Sequence, residues 1–288
     1  MLLVRTPSDK IVEQLQFRIF HFFEVRRKGL EFEVELAGNC NLNCWGCNHF
    51  SPLIKDEYLS VEEFKNDCER LGILMNHKVK RMKLLGGEPL LNTNIEEMIF
   101  VARQNFKKGE IQIITNGILL KSMSEGFWNA CRKNNIVINI TKYPIAINYN
   151  EIIEMANKYH VKVYFSNNEG SKVQYKYAID QRGDHDPMYA FKECEQHCYT
   201  LKHGKMYCCT FAPHMSRYKN AFGIENMEIS EDDGIDIYKT SSEKEILDFL
   251  RHPIPACKYC DIETRKKQEP FPWKVSTCSV EEWTEIKE

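Results

Sequence analysis

Two periods of apolar spacing take turns along this chain. Residues 31–37, EFEVELA, set Phe32, Val34 and Leu36 between glutamates, the period of two that marks a strand with one buried face. Residues 60–75, SVEEFKNDCERLGILM, change to a helical period, with Ser60 and Glu63 spaced as a capping box. The alternation continues. VKRMKLL (79–85) predicts a second strand and NIEEMIFVARQNF a helix. EIQIIT (110–115) predicts a third strand, with a helix near 121–133. IVINIT (136–141) predicts a fourth, followed by the helix NEIIEMANKYH. VKVYFS (161–166) predicts a fifth strand and KVQYKYAI (172–179) a sixth. Ahead of them, SDKIVEQLQFRIFHFFEVRRKG predicts an amphipathic helix, capped by Ser8, with Ile11, Leu15, Ile19 and Phe23 recurring every four residues.

Strands separated by helices at this spacing imply parallel strands joined by right-handed crossovers. The expected fold is α/β, a partial (β/α)6 barrel of the TIM type, with its chemistry at the C-terminal strand ends. The pattern fades after about residue 185, near QRGDHDP. Three regions are expected: an N-terminal helical segment (1–30), the partial barrel (31–185) and a Cys-rich C-terminal domain (186–288). The last contains a β-hairpin at LKHGKMYCC and a helix at SSEKEILDFLRH.

Composition narrows the field. The chain has 288 residues, 43% hydrophobic and 28% charged, enough for a real core, and its formal net charge of −2 supplies no bulk attraction to nucleic acid or an anionic membrane. No apolar run reaches the roughly 18 residues of a spanning helix, and MLLVRTPSDK lacks the features of a signal peptide. A cytoplasmic protein is expected. Twelve cysteines then change the picture, because a reducing compartment favours metal binding or catalysis over disulfides. Cys40, Cys44 and Cys47 lie in CNLNCWGC, directly after the first strand. Cys194, Cys198, Cys208, Cys209, Cys257, Cys260 and Cys278 fall in the last third. Cys68 and Cys131 stand alone on predicted helices, where a thiol packs as a small hydrophobe.

Three thiolates on one loop suit three irons of a [4Fe–4S] cube and leave the fourth iron open; the loop alone also suits half a zinc site or a redox pair. Asn39, Asn41, Asn43 and Gly46 are compatible with the turn this needs. The second strand runs into GGEPLL, where Gly86 and Gly87 let backbone approach a ligand and Glu88 offers a carboxylate to an ammonium group. The third ends in Thr115-Asn116-Gly117.

In this order, C-x3-C-x2-C, GGEP and TNG closely resemble the radical S-adenosylmethionine (radical SAM) superfamily over roughly residues 31–166. The resemblance implies a [4Fe–4S] cluster on Cys40, Cys44 and Cys47, with S-adenosylmethionine chelating the open iron. It further implies a cofactor site built from Gly86, Gly87, Glu88, Thr115 and Asn116, with Asn139 and Thr141 at ribose level. One departure stands out. The family usually carries an aromatic residue before the third cysteine, whereas this chain has Gly46 there and Trp45 one place earlier. That change bears on how adenine packs, not on the ligands.

The tail looks like the shortened auxiliary-cluster extension called twitch, related to SPASM: Cys194, nine residues, Gly204, four residues, Cys209, then Cys257-x2-Cys260. The likeness implies one auxiliary [4Fe–4S] cluster on Cys194, Cys209, Cys257 and Cys260. Cys198 rivals Cys194, and Cys208 cannot easily ligate beside Cys209, since neighbours on a strand face opposite ways. Structural zinc is the alternative for these thiolates. Cys278 is read as packing or as a hydrogen-atom donor.

The family likeness implies cleavage of S-adenosylmethionine to a 5′-deoxyadenosyl radical that takes hydrogen from a small substrate. An external one-electron donor such as flavodoxin or ferredoxin is implied. A single auxiliary cluster is similar to the layout of the 2-deoxy-scyllo-inosamine dehydrogenases of aminoglycoside biosynthesis. CNHFSPL also resembles radical SAM proteins found with glycan-assembly genes. Both point to a sugar, aminocyclitol or nucleotide-sugar, dehydrogenated or epimerised. His49, Lys142 and Tyr143 are candidate catalytic residues near strand ends, with ordinary loop packing as the competing reading. Peptide modification, including sulfatase maturation, remains an alternative, as does a non-enzymatic zinc-binding interaction module.

Overall fold

The computed structural model describes residues 29–166, 173–175, 177–194 and 197–284; the helix expected in the first 28 residues lies outside them. Five strands alternate with helices as the periodicity requires: β1 (Glu31–Ala37), β2 (Arg81–Gly86), β3 (Glu110–Thr115), β4 (Ile136–Ile140) and β5 (Lys162–Phe165). The helices between them are α1 (Val61–Leu74), α2 (Ile95–Asn105), α3 (Glu125–Lys133) and α4 (Tyr149–Tyr159). These strands are parallel, each paired with its sequence neighbour.

Alternation along the strands divides the sheet into two faces. Phe32, Val34, Leu36, Met82, Leu84, Ile111, Ile113, Ile138 and Ile140 are almost wholly buried in one core with Phe64, Leu71, Met98, Phe127 and Ile152 of the helices. Cys68 and Cys131 are buried in the same layer, as small apolar side chains. Ser60 caps α1 by accepting from the Glu63 amide at 3.1 Å. The reciprocal half of the expected box is absent, because the Glu63 carboxylate reaches His203 at 2.7 Å instead.

The sheet stays open. Its order is β5-β4-β3-β2-β1-β7-β8-β9, with β7 (Thr200–Lys202), β8 (Lys205–Tyr207) and β9 (Ile235–Asp236). β7 runs parallel to β1, and β7–β8 is the hairpin expected at LKHGKMYCC. The sixth parallel strand is therefore β7, on the far side of β1, and not the stretch 172–179. There, among the described residues, β6 (Val173–Gln174) forms, antiparallel to β10 (Phe271–Pro272) in a separate two-stranded sheet. Short alternating runs predict extension but not a partner, and the tail supplies the partner in both places. The remaining helices are α5 (Pro187–Glu193), α6 (Met215–Phe222), α7 (Glu243–Phe249) and α8 (Ile262–Lys266). Among the described residues, no helix is long and apolar enough to cross a membrane.

Candidate active site

The ends of β1, β2 and β3 meet. The β1–β2 register slips between Glu35 and Ala37, a bulge that re-aims the chain as it enters the cysteine loop. Asn92 holds that bend by donating to the Leu36 and Leu59 carbonyls at 2.8 and 3.0 Å. The glycine turn then lies flat against the loop. The Gly87 amide donates to the Ala37 carbonyl at 2.8 Å and the Glu88 amide to the Asn39 carbonyl at 3.1 Å. Gly86 has φ +151°, and a Cβ there would sit 2.1 Å from the Ala37 oxygen; on Gly87 it would sit 2.3 Å from the Asn39 oxygen. Only glycine admits this approach.

Glu88 is fully buried, and its carboxylate points into the protein. It accepts from the Thr115 hydroxyl (2.7 Å), the Asn116 amide (3.0 Å) and the Leu90 amide (3.1 Å). Burial outweighs these donors and pushes its pKa up to about 7. The side chain expected to meet an ammonium group therefore braces the second strand end against the third. Asn116 completes the junction: its amide donates to Asn41 Oδ1 at 2.7 Å and faces Cys40 Sγ at 3.8 Å. Cys40 Sγ also accepts from the Leu42 amide at 3.3 Å, while burial drives its pKa upward.

The sequence left a fourth contributor unread. Residues 273–283 wrap the cysteine loop as a strap. The Trp45 amide donates to the Lys274 carbonyl (3.0 Å), the Ser276 amide to the Asn43 carbonyl (2.8 Å), and Trp273 Nε1 to Cys44 Sγ (3.1 Å). Glu282, fully buried, accepts from the Gly46 amide (3.2 Å), Ser276 Oγ (2.6 Å) and the Thr277 amide (2.7 Å). Trp283 Nε1 donates to the Cys47 carbonyl at 2.9 Å. Gly46 has φ +60° and lies against this strap, which accounts for glycine before the third cysteine. Trp45 turns away, its ring edge-on to Phe271 at 4.9 Å with the Lys274 ammonium 4.1 Å from its centre.

The other expected residues divide. Asn139, on the sheet face opposite the core, has a buried Oδ1 with no hydrogen-bond partner among the described residues. Thr141 Oγ1 pairs with Ser166 Oγ at 3.0 Å. Tyr143 is set edge-on to the Trp273 ring at 6.0 Å, and burial raises its pKa well above the ordinary phenol value. Lys142 instead lies over the Phe165 ring, 4.3 Å from its centre. His49 belongs to a charged cluster beneath the loop. Its Nδ1 meets Glu35 at 3.1 Å, His214 Nε2 meets the same oxygen at 3.0 Å, and Lys202 reaches the other at 2.7 Å. Arg217 forks onto Glu35 and reaches Glu57. Burial works against the Glu35 carboxylate, but His214, His49 and Arg217 hold its pKa well below the ordinary range. Two carboxylates face two permanent cations, so the cluster is already balanced and ties His49 to the scaffold.

In the tail, Cys194, Cys208, Cys209, Cys257 and Cys260 line one cavity under Tyr177, and Cys198 is not among its lining residues. Cys208 and the Ala212 and Phe211 amides hold the Cys209 pKa below the ordinary thiol value against burial. Among the described residues, no three cysteine sulfurs lie within 4.8 Å of one another. Four thiolates in two pairs suit structural zinc and an iron–sulfur cube alike. The donor set, the glycine cradle and the buried Asn139 Oδ1 all fit an iron–sulfur cluster with a small cofactor beside it.

Residues 34–164 match the family described as the radical SAM superfamily. A probable GTP 3′,8-cyclase of Methanothermobacter marburgensis is 33% identical over 34% of this chain and 31% of its own length. A GTP 3′,8-cyclase of Staphylococcus carnosus is 24% identical over 77% of this chain and 61% of its own length. The chain thus spans less than two thirds of the length of either relative. Among solved structures, BtrN in complex with AdoMet and 2-DOIA aligns with a TM-score of 0.48 and 18% identity, covering 80% of this chain and 92% of that one.

Proposed function

We propose that the chain is a radical SAM enzyme, using a [4Fe–4S] cluster and S-adenosylmethionine to take a hydrogen atom from a small hydroxylated substrate; residues 34–164 match that superfamily. Cys40, Cys44 and Cys47 would hold the cluster. The Gly86–Gly87 turn, Asn116, Asn139 and Thr141 would surround the S-adenosylmethionine. When bound, these groups supply one electron to a sulfonium and hence the 5′-deoxyadenosyl radical that abstracts hydrogen.

The observation that carries the reading is the three-way junction of strand ends. Gly87 and Glu88 amides hold the cysteine loop, and Thr115 and Asn116 hold Glu88. Glu88 acts as a brace that fixes the distance between the loop and the turn, so a docked cofactor meets preset groups. The strap over Cys44 and Cys47 shields the loop from solvent on one side.

The substrate we propose is a sugar, an aminocyclitol or a nucleotide-sugar. The relatives named GTP 3′,8-cyclase favour a nucleotide-bearing member of that class. Residues 186–288 would serve as the auxiliary-cluster domain, with Cys194, Cys209, Cys257 and Cys260 as ligands. That cluster would take the substrate's second electron and make the outcome a dehydrogenation, with flavodoxin or ferredoxin as the external donor to the first.

The test is anaerobic incubation with S-adenosylmethionine, a strong one-electron reductant and candidate nucleotide-sugars and aminocyclitols. Product mass and 5′-deoxyadenosine are read together. Loss of two hydrogens from the sugar supports the reading; the same loss from a peptide contradicts it. Replacing Cys257 and Cys260 by Ala should leave 5′-deoxyadenosine formation intact and stop substrate oxidation. Full turnover in that variant removes the electron-acceptor role. Solvent deuterium at carbon without a mass loss assigns epimerisation instead.

A further inference from the structure

We propose that Trp273 sets the reduction potential of the three-cysteine cluster by donating a hydrogen bond to the Cys44 sulfur. The inference rests on the reading of Cys40, Cys44 and Cys47 as cluster ligands and assigns a role to a residue about 230 positions away in sequence.

The geometry is specific. Trp273 Nε1 stands 3.1 Å from Cys44 Sγ, and indole nitrogen can only donate. Tyr143, from the loop after β4, packs against the indole. The two rings meet edge to face with centroids 6.0 Å apart, so each limits the other's rotation. Backbone pairing pins the indole. Cys44 bridges Val275, the Trp45 amide donates to Lys274, and the Ser276 amide donates to Asn43. The donors contacting Cys40 differ: a backbone amide at 3.3 Å and an asparagine amide at 3.8 Å.

A donor aimed at a thiolate sulfur draws off negative charge. The reduced cluster carries one more electron than the oxidised one, so the donor favours reduction and raises the potential. Trp273 is a positioning residue in this scheme. It touches a ligand sulfur and makes acceptance of the single electron from the external donor easier. It takes no part in bond cleavage.

The experiment is an electron paramagnetic resonance redox titration of the anaerobically reconstituted full chain. The signal followed is the one that changes on adding S-adenosylmethionine. Trp273→Phe keeps the ring and removes the donor. Its midpoint should become more negative than wild type, while iron and sulfide per chain stay unchanged. Trp273→His, which restores a ring N–H, should recover part of the shift. An unchanged or more positive midpoint in Trp273→Phe overturns the proposal. Should that variant take up too little iron to titrate, Trp273→Leu, which also removes the donor, carries the same two outcomes. A Cys40→Ala/Cys44→Ala/Cys47→Ala variant separates the two claims. If it keeps the titrated signal, the reading of the site fails. If it loses the signal while Trp273→Phe leaves the midpoint in place, only the present inference fails.

Discussion

Glu88 shows how a side chain legible for its place carries protein contacts that the sequence does not report. GGEP announced a strand-end turn, and the structure puts it there. The carboxylate, however, is consumed by Thr115, Asn116 and Leu90. Nothing local in the sequence reports that, because two of the three donors lie a strand and a helix away. Its pKa, pushed up to about 7 by burial, has a consequence for stability. A folded-state pKa above the unfolded value means that the native state holds the proton more tightly, so this group's contribution is fully present below about pH 4 and is lost as pH rises through 7. Glu88→Gln cannot titrate. Its urea midpoint relative to wild type should improve between pH 5 and pH 8, and a gap that stays constant with pH contradicts the raised pKa. Thr115→Val, which removes one donor to the buried carboxylate, should cost about 1.5–3 kcal/mol in chemical unfolding at neutral pH.

At the scale of elements, the strands and helices of residues 31–166 were legible because each carries its own period over a long enough run. The cysteine, GGEP and TNG motifs sat at predicted strand ends for the same reason. The strap was not legible. Its contacts, such as Asn43 Nδ2 to the Ser276 carbonyl, join residues 233 positions apart, and periodicity has no reach over that separation. The turn and the strap make separable predictions. Gly87→Ala places a Cβ 2.3 Å from a backbone oxygen, so the loop must move; the cost should be about 1–3 kcal/mol, with iron per chain reduced. Glu282→Gln leaves one end of a buried acceptor facing donors it cannot satisfy. It should destabilise by about 1–3 kcal/mol and speed proteolysis within 273–283, as limited digestion and mass spectrometry would show. Native-like digestion of that variant contradicts the clamp.

Over the whole molecule, one sheet runs through both the strand–helix region and the Cys-rich tail. β7 pairs directly with β1, the strand that carries the cysteine loop. The tail was legible as a cysteine framework with a hairpin. Its attachment beside β1 was not, because a three-residue strand gives no local sign of its partner. An aromatic cluster links the same two regions: Trp283, bonded to the Cys47 carbonyl, lies 5.6 Å from Phe50, and Phe50 lies 6.3 Å from Tyr177 above the second group of cysteines. Trp283 is fully buried there, so Trp283→Ala should cost about 3–5 kcal/mol and lower the melting of the chain as one unit. The central claim concerns the first cysteine loop, and one measurement addresses it most directly: 5′-deoxyadenosine released from S-adenosylmethionine by the anaerobically reconstituted, reduced full chain. The account predicts release by the wild type and none once Cys40, Cys44 and Cys47 are replaced by Ala. A fully iron-loaded wild type that leaves S-adenosylmethionine intact, or release that survives loss of those three thiols, would contradict it.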